Sequence, residues 1–343
     1  MKLTTLLLGA AAILCTIVQA QAQSPETEIM EEYASPSVVG MGKGKGIVIG
    51  YERLPSFDIK SDSKHPRLED GQGRVRRHNK FDVKINAPVL NRPQTKVIFG
   101  IDYKFEEFNF EDVTPAAYDL YQYLEDRNLQ SVGAQAVYLH SIDSRRFYLV
   151  RLRGELNGDF TKDDINSDLI DYFKPTIDLM YGWKKSPNYV IGVGLQLGYT
   201  FGRESIYPAI IYNHTYNNNW GVEAIFPANA RLRYNVNEKT LLFAGYRLEG
   251  ASYNLYVDEG SLSEFGEIEL SRTDVKGLLR LEREIYDFLW FGVEGGFRQY
   301  YRNRVFDEAG SRNEILDNDL FGAGFVKVEL FVVPPRRLME KSK

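Results

Sequence analysis

Three features of the sequence predict an all-β protein, a transmembrane antiparallel up-and-down β-barrel. Stretches of roughly ten to fifteen residues alternate apolar with polar, rings gather at the ends of those stretches, and short connections alternate with long ones. A soluble sandwich also alternates, but its strands run about five or six residues, whereas a strand tilted through a bilayer needs roughly 9 to 11. The stretches here are of the longer kind, and their polar face carries charges of both signs, as a wet barrel interior would.

The chain opens with Lys2, an apolar run from Leu6 to Val18, and small residues at Ala20 and Ala22, the layout of a secretory signal peptide expected over residues 1–22. That run is shorter than the roughly 20 apolar residues of a spanning helix. Residues 23–45 are then expected to be a periplasmic N-terminal segment, 46–333 the barrel and 334–343 a C-terminal tail. The single cysteine, Cys15, lies within the signal, so a mature chain has no thiol for a disulfide, a nucleophile or a metal. Bulky Leu14 before it speaks against lipidation. The formal net charge of -5, together with export, argues against a nucleic-acid partner.

Along the mature chain, Phe81, Val83, Ile85, Ala87 and Val89 face one way and Asp82, Lys84 and Asn86 the other. In residues 96–107, Val97, Phe99, Ile101, Tyr103 and Phe105 oppose Lys96, Asp102, Lys104 and Glu106. Ile177, Leu179, Tyr181 and Trp183 oppose Asp178 and Lys184. In residues 189–201 the odd positions carry rings at both ends and aliphatics between, the order a lipid-facing strand needs, because rings suit the headgroup level. Later strands set Trp220, Val222, Ala224 and Phe226 outward, then Leu242, Ala244, Tyr246 and Leu248, then Val275, Leu279 and Leu281, then Leu289, Phe291, Val293 and Phe297. A last strand is expected over 320–332.

Short turns fall at 91–94, 142–145, 185–188, 235–239 and 285–287; longer polar segments fall at 56–76, 111–128, 158–171, 203–219, 258–265 and 303–318. Turns on one side and loops on the other put both termini in the periplasm and give about twelve strands, an even number as single-chain barrels require. Residues 206–216 also read as a strand. Counted as wall they make thirteen, so they are expected in an extracellular hairpin, unless Pro227 divides the stretch after Trp220 and the total is fourteen.

On this pattern, with residues 189–201 and 220–234 containing Pro227 as its clearest stretches, the chain resembles an uncharacterised outer-membrane β-barrel family of Bacteroidota-type bacteria, domain-of-unknown-function family 6268. The resemblance spans roughly residues 46–333, implies an outer-membrane barrel and brings no catalytic residues. The tail after Val333 departs from barrels that end on an aromatic read by the insertion machinery; Phe331 is the nearest such ring.

Chemistry-bearing constellations are sparse. A serine nucleophile needs a histidine held by a third group, and the histidines are His65, His78, His140 and His214. His140 follows Tyr138 on the apolar face and reads as an interfacial ring; Ser141 points the opposite way. His214 reads as a solvated loop residue among Tyr and Asn. His65 and His78 fall in the first long loop among Lys64, Arg67, Arg74, Arg76 and Arg77, where positive charge opposes metal binding. The run Asp163, Asp164, Asn166 and Asp168 lacks the turn glycine and terminal glutamate of a calcium loop. No pattern asks for a cofactor.

The inward charges are the main functional clue. Arg151, Arg153, Arg231, Arg233, Arg247, Glu249, Lys104, Glu106, Glu294 and Arg298 are the candidate lumen-lining residues. Read structurally they are cross-strand ion pairs; read functionally Arg151, Arg153, Arg231 and Arg233 are an anion-attracting stripe. Mixed signs favour the first. The expectation is a non-enzymatic outer-membrane barrel, structural or a passive channel for small solutes, in contact with membrane lipid, lipopolysaccharide and the barrel-assembly machinery. The alternatives are a lipid-modifying hydrolase in the wall, which needs Ser and His on one outward face, or a loop-mediated binding protein.

Overall fold

A computed structural model describes residues 33–116, 118–160, 172–308, 311 and 313–335. The expected signal peptide, the acidic run 163–168 and the tail from residue 336 lie outside them. The described residues form sixteen strands, β1 (Ile47–Leu54), β2 (Phe57–Ser63), β3 (Gly71–Asn91), β4 (Thr95–Thr114), β5 (Leu129–Ser141), β6 (Arg146–Gly158), β7 (Phe173–Ser186), β8 (Tyr189–Gly198), β9 (Ser205–Thr215), β10 (Trp220–Phe226), β11 (Asn229–Asn237), β12 (Thr240–Tyr256), β13 (Glu267–Tyr286), β14 (Leu289–Phe306), β15 (Glu314–Leu320) and β16 (Ala323–Val332). One α-helix, α1 (Asp119–Asp126), interrupts them between β4 and β5, and one 3-10 turn (Ser261–Glu264) between β12 and β13.

Strands β3 to β14 pair antiparallel in sequence order. At the end with short turns, β16 and β1 complete the ring between β14 and β3; at the opposite, loop end, β15 and β2 do so. β1 and β2 are thus two lengths of one wall strand, and β15 and β16 two lengths of another. Pro55, which has no amide hydrogen to offer a ladder, sits at the first break. The wall therefore has fourteen strands, the count that a division at Pro227 allows, and not twelve. Residues 206–216 are not in an extracellular hairpin: β9 is wall, paired with β8 and β10. Between β10 and β11 only Pro227 and Ala228 turn the chain.

The lower wall presents apolar side chains outward. On β4 the outward series from Val97 to Phe105 covers about 26 Å of strand, which a tilt of about 40° reduces to about 20 Å, near the height of a hydrocarbon-facing band. A girdle of rings marks its turn end: Tyr138, His140 and Tyr148 cluster, Tyr181 meets Trp183 at 5.0 Å, Tyr189 and Tyr216 flank His214, and Trp220 packs on Tyr234 at 4.6 Å. Phe331 is not in this outward girdle. It is buried inside, against Trp290.

Five strands rise well past this belt. β3, β4, β12, β13 and β14 have 21, 20, 17, 20 and 18 residues, against 10, 7 and 9 for β8, β10 and β11. Much of the expected first long loop, 56–76, is therefore β2 and the start of β3. The ends of β6 and β12 meet across the barrel at Gly158 and Asn254. A Cβ on Gly158 would stand 2.5 Å from the Asn254 carbonyl oxygen, so only glycine permits the approach. That bridge closes the tall strands on themselves as a second tier, a dome. Its filling is apolar: Leu54, Leu129, Leu255, Ile268, Val305 and Ile315 are fully buried, and α1 inserts Leu120, Tyr121 and Leu124 among them. A helix of two turns is marginal alone, so this packing is what holds it.

A capped and charged lumen as the candidate functional site

Below the dome, the inward positions of the wall carry charges in contact with one another. Arg153 reaches Asp102 at 2.8 Å and Glu155 at 2.6 Å, and Lys104 shares Glu155 at 3.0 Å. Arg151 pairs with Asp178. Arg231 and Arg233 share one carboxylate, Glu223, at 2.6 and 3.2 Å. Arg247 lies 2.9 Å from Glu249 and 2.6 Å from Glu294, whose second oxygen meets Arg280 at 3.1 Å. Register explains these groupings: Arg231 stands directly across from Glu223 in the β10–β11 ladder, and Arg280 across from Glu294 in β13–β14. Side chains opposite one another in a ladder lie close enough to pair.

Glu106 is the hub at the junction with the dome. Its carboxylate accepts from His78 Nε2 at 2.9 Å, from the Tyr253 hydroxyl at 3.1 Å and from Arg272, with Lys80 at 3.5 Å. Arg298 donates to His78 Nδ1 at 3.0 Å. Arginine has only donors, so Nδ1 is the acceptor and the ring proton sits on Nε2, which assigns a neutral His78 aimed at Glu106. His78 is thus not in the first loop; it is a fully buried residue of β3, stacked on Phe108 at 4.1 Å.

Of the candidate lumen residues, Lys104, Glu106, Arg247 and Glu249 line a chamber of about 360 Å³, whereas Arg151, Arg153, Arg231, Arg233, Glu294 and Arg298 are not in its lining. Its charged lining comprises six bases, Lys80, Lys84, Lys104, Arg247, Arg272 and Lys327, and six acids, Glu52, Asp82, Glu106, Glu249, Asp274 and Glu329. Glu52, Lys80, Arg272 and Asp274 were missed in the sequence, although Lys80 extends the inward series of Asp82 and Lys84, and Arg272 and Asp274 that of Lys276 and Arg280; Glu52 follows Val48 and Gly50 on its face and had no charged series to continue. Thr200, an even position of the 189–201 stretch, lines the chamber from the loop after β8.

Among the described residues, three elements cover the chamber. The dome covers it under the tall strands. Beside the dome, residues 199–204 between β8 and β9 fold inward: Ser271 Oγ donates to the Gly202 carbonyl and Thr273 Oγ1 to that of Phe201 at 2.9 Å. At the turn end, residues 33–46 run as a strap along the inner rim. Ser141 Oγ donates to Ala34 O at 2.6 Å, Asn213 to Pro36 O at 2.8 Å, Thr215 to Val39 O at 2.6 Å and Asn235 to Gly40 O at 3.2 Å. Lys45 then pairs with Glu282 at 2.8 Å before Gly46 joins β16. The part of the expected N-terminal segment that is described thus lies inside the barrel mouth. It is held through its own main-chain carbonyls, which any residues supply, so no motif announced it.

The remaining histidines are engaged otherwise. His214 is not a loop residue; it faces outward from β9, its ring 4.3 Å from Tyr216. His65 stands edge-on to Phe265. Outside the wall, His140 Nδ1 lies 2.9 Å from Thr95 Oγ1, and no carboxylate orients that imidazole among the described residues. No group of three or more His, Cys, Asp or Glu with metal-binding geometry occurs among the described residues.

A profile of the family described as Domain of unknown function (DUF6268) matches residues 71–314. The chain belongs to this family. None of the curated proteins matches this DUF6268 member by sequence. Among solved structures it is similar to an outer membrane channel of Pseudomonas putida F1, at 9% identity and a TM-score of 0.40 over 91% of this chain and 100% of that one. A FadL homologue of Pseudomonas aeruginosa aligns at 8% identity and 0.38, over 84% and 90%. The NanC porin aligns at 6% and 0.36, over 84% and 100%.

Proposed function

We propose that this DUF6268 barrel spans the outer membrane with its turn end in the periplasm and its loop end outside, and passes small polar solutes passively from a resting state that is closed. The charge-balanced chamber between a strong and a weak cover carries this reading. The dome is a packed apolar core. The segment 199–204, by contrast, is fastened by hydroxyl-to-carbonyl hydrogen bonds, each worth about 1 kcal/mol. Opening therefore moves that segment and the strap while the dome stays. The bound carboxylates leave Arg151, Arg153, Arg231 and Arg233 with little net field, so the path selects weakly between anions and cations.

The test is conductance of the refolded protein in a planar bilayer. Gly202 has φ +76, and a Cβ there would overlap the Arg272 carbonyl oxygen, so Gly202→Val expels the segment. The wild type should conduct rarely or not at all, and Gly202→Val steadily, with a reversal potential near zero across a salt gradient. Silence from both proteins would overturn the channel reading and leave a structural barrel.

A further inference from the structure

Most cations of the described lumen are held by carboxylates, whereas a group of three at the loop end of the outer wall are not. Arg53, Arg76 and Arg77 are exposed, and none of their side chains makes an ion pair or hydrogen bond among the described residues. Arg53 follows Tyr51, the last ring on the outward face of β1, and is level with Asn79 of β3, which follows the outward Phe81. Arg77 is the next outward position above Asn79. A register shift between Val75 and Arg77 breaks the alternation that would send one of two consecutive side chains inward, and both Arg76 and Arg77 face out. Their neighbours are already occupied. Arg74 closes on Asp58 at 2.9 Å, and the nearby carboxylate of Glu107 takes the Asn79 amide at 3.0 Å.

The three guanidiniums therefore sit immediately above the apolar belt, at the height where lipid headgroups lie. Below them, the lipid face of β3 to β7 holds a groove of about 560 Å³. Its floor is Ala134 and Gly154, and its walls are Val83, Ile101, Tyr103 and Phe173. The ring of Phe173 lies over Gly154, and beside it small Ala134 between larger side chains leaves room for a hydrocarbon chain.

We propose that Arg53, Arg76 and Arg77 bind the phosphate groups of lipopolysaccharide, with one of its acyl chains in the groove beneath. Guanidiniums suit phosphate because their paired N–H donors match its oxygens, and charge-assisted contacts of this kind are the strong ones. The inference rests on the reading that the loop end faces outward, where that lipid is. The site commits to a phosphorylated acylated glycolipid over a free anion because the cluster adjoins the belt and the groove. A solvated loop tip would offer an anion the charges alone.

The experiment uses the full-length protein in detergent, with native mass spectrometry after titration by purified lipopolysaccharide, enzymatically dephosphorylated lipopolysaccharide, phosphatidylglycerol and inorganic phosphate. Wild type should retain lipopolysaccharide, and the triple variant Arg53→Gln, Arg76→Gln, Arg77→Gln should bind it roughly tenfold or more weakly. Dephosphorylated lipid should bind both proteins equally, and Arg74→Gln, whose guanidinium is already paired, should behave as wild type. Equal retention by wild type and the triple variant overturns the proposal, as does inorganic phosphate or phosphatidylglycerol binding as tightly as lipopolysaccharide. These side chains lie outside the lumen, so conductance of the triple variant should match that of its parent. Failure of the lipid site and failure of the channel reading are thus read by separate measurements.

Discussion

β4 runs through both tiers of the molecule and keeps its parity from Val97 to Phe110, past the junction between them, and the comparison between its two lengths is instructive. In the belt its outward residues are Val97, Phe99, Ile101, Tyr103 and Phe105, and its inward residues include Asp102, Lys104 and Glu106. Past Glu106 the chemistry exchanges sides: Phe108 packs inward in the dome core, while Glu107 is exposed and Asn109 bonds Glu125 of α1. The strand is the same, but its two solvents have swapped, with hydrocarbon outside and water inside giving way to water outside and a dry core inside. Backbone geometry sets which residues share a face, and the surroundings set which chemistry each face needs.

Four variants break or sharpen that comparison. Leu255→Asp, at a fully buried dome position, should cost more than about 4 kcal/mol and expose the loop end to protease, while the barrel keeps its heat-dependent gel migration. Simultaneous loss of both would show that the tiers are one cooperative unit. Lys276→Met strikes the belt: its ammonium bonds Glu52 and Glu249 at 2.7 and 2.8 Å and is almost wholly buried. Removing it should cost about 3–5 kcal/mol in urea unfolding from micelles, and adding Glu52→Gln with Glu249→Gln should recover much of that. A neutral single variant would mean that the belt is wetter than its packing implies.

Gly40→Val loosens the strap, because Gly40 has φ +77 and a Cβ would lie 2.7 Å from Asn235 Nδ2 and 2.8 Å from Arg233. We expect about 1–2 kcal/mol of destabilisation and a conductance gain when combined with Gly202→Val; unchanged current would remove the strap from the path. The smallest effect is in the dome at Asp159, which accepts from Tyr123 and from the Tyr256 amide. Burial pushes its carboxyl above the usual range. A folded-state value above the unfolded one means the dome is most stable below about pH 4 and loses that contribution as pH rises through the raised value, about 1.4 kcal/mol for each tenfold difference in proton affinity. Asp159→Asn should flatten the dependence, measured as dome melting from about pH 4 to about pH 8.

Legibility in the sequence followed the same divide. Residues 96–107 and 189–198 could be read because a wall between lipid and water must be two-faced along its length; past Gly198 the same odd-numbered series misled, since Tyr199 and Phe201 leave the wall and Phe201 is buried in the segment that folds inward. β9 was legible as a strand but was misplaced, because counted as wall it gave an odd total, and the turn of only Pro227 and Ala228 that restores an even one gives no loop to count. The dome was hidden for a related reason: Arg74, Arg76 and Arg77 face water from a strand and look like loop residues. Within the lumen the charged series could be read as one face, but not its pairings, since Lys276 and Glu52 stand 224 residues apart.

By itself, then, the sequence determined a two-faced antiparallel wall, the chemistry of each face and the turn-and-loop alternation, because these are properties of a single strand with a period of two. The closed tertiary structure decided the count of fourteen, the pairing of most lumen cations, the folded dome and the strap in the mouth. Each of these joins residues that are distant in the chain, and such partners are chosen by ring closure and packing, on which a local pattern has no hold.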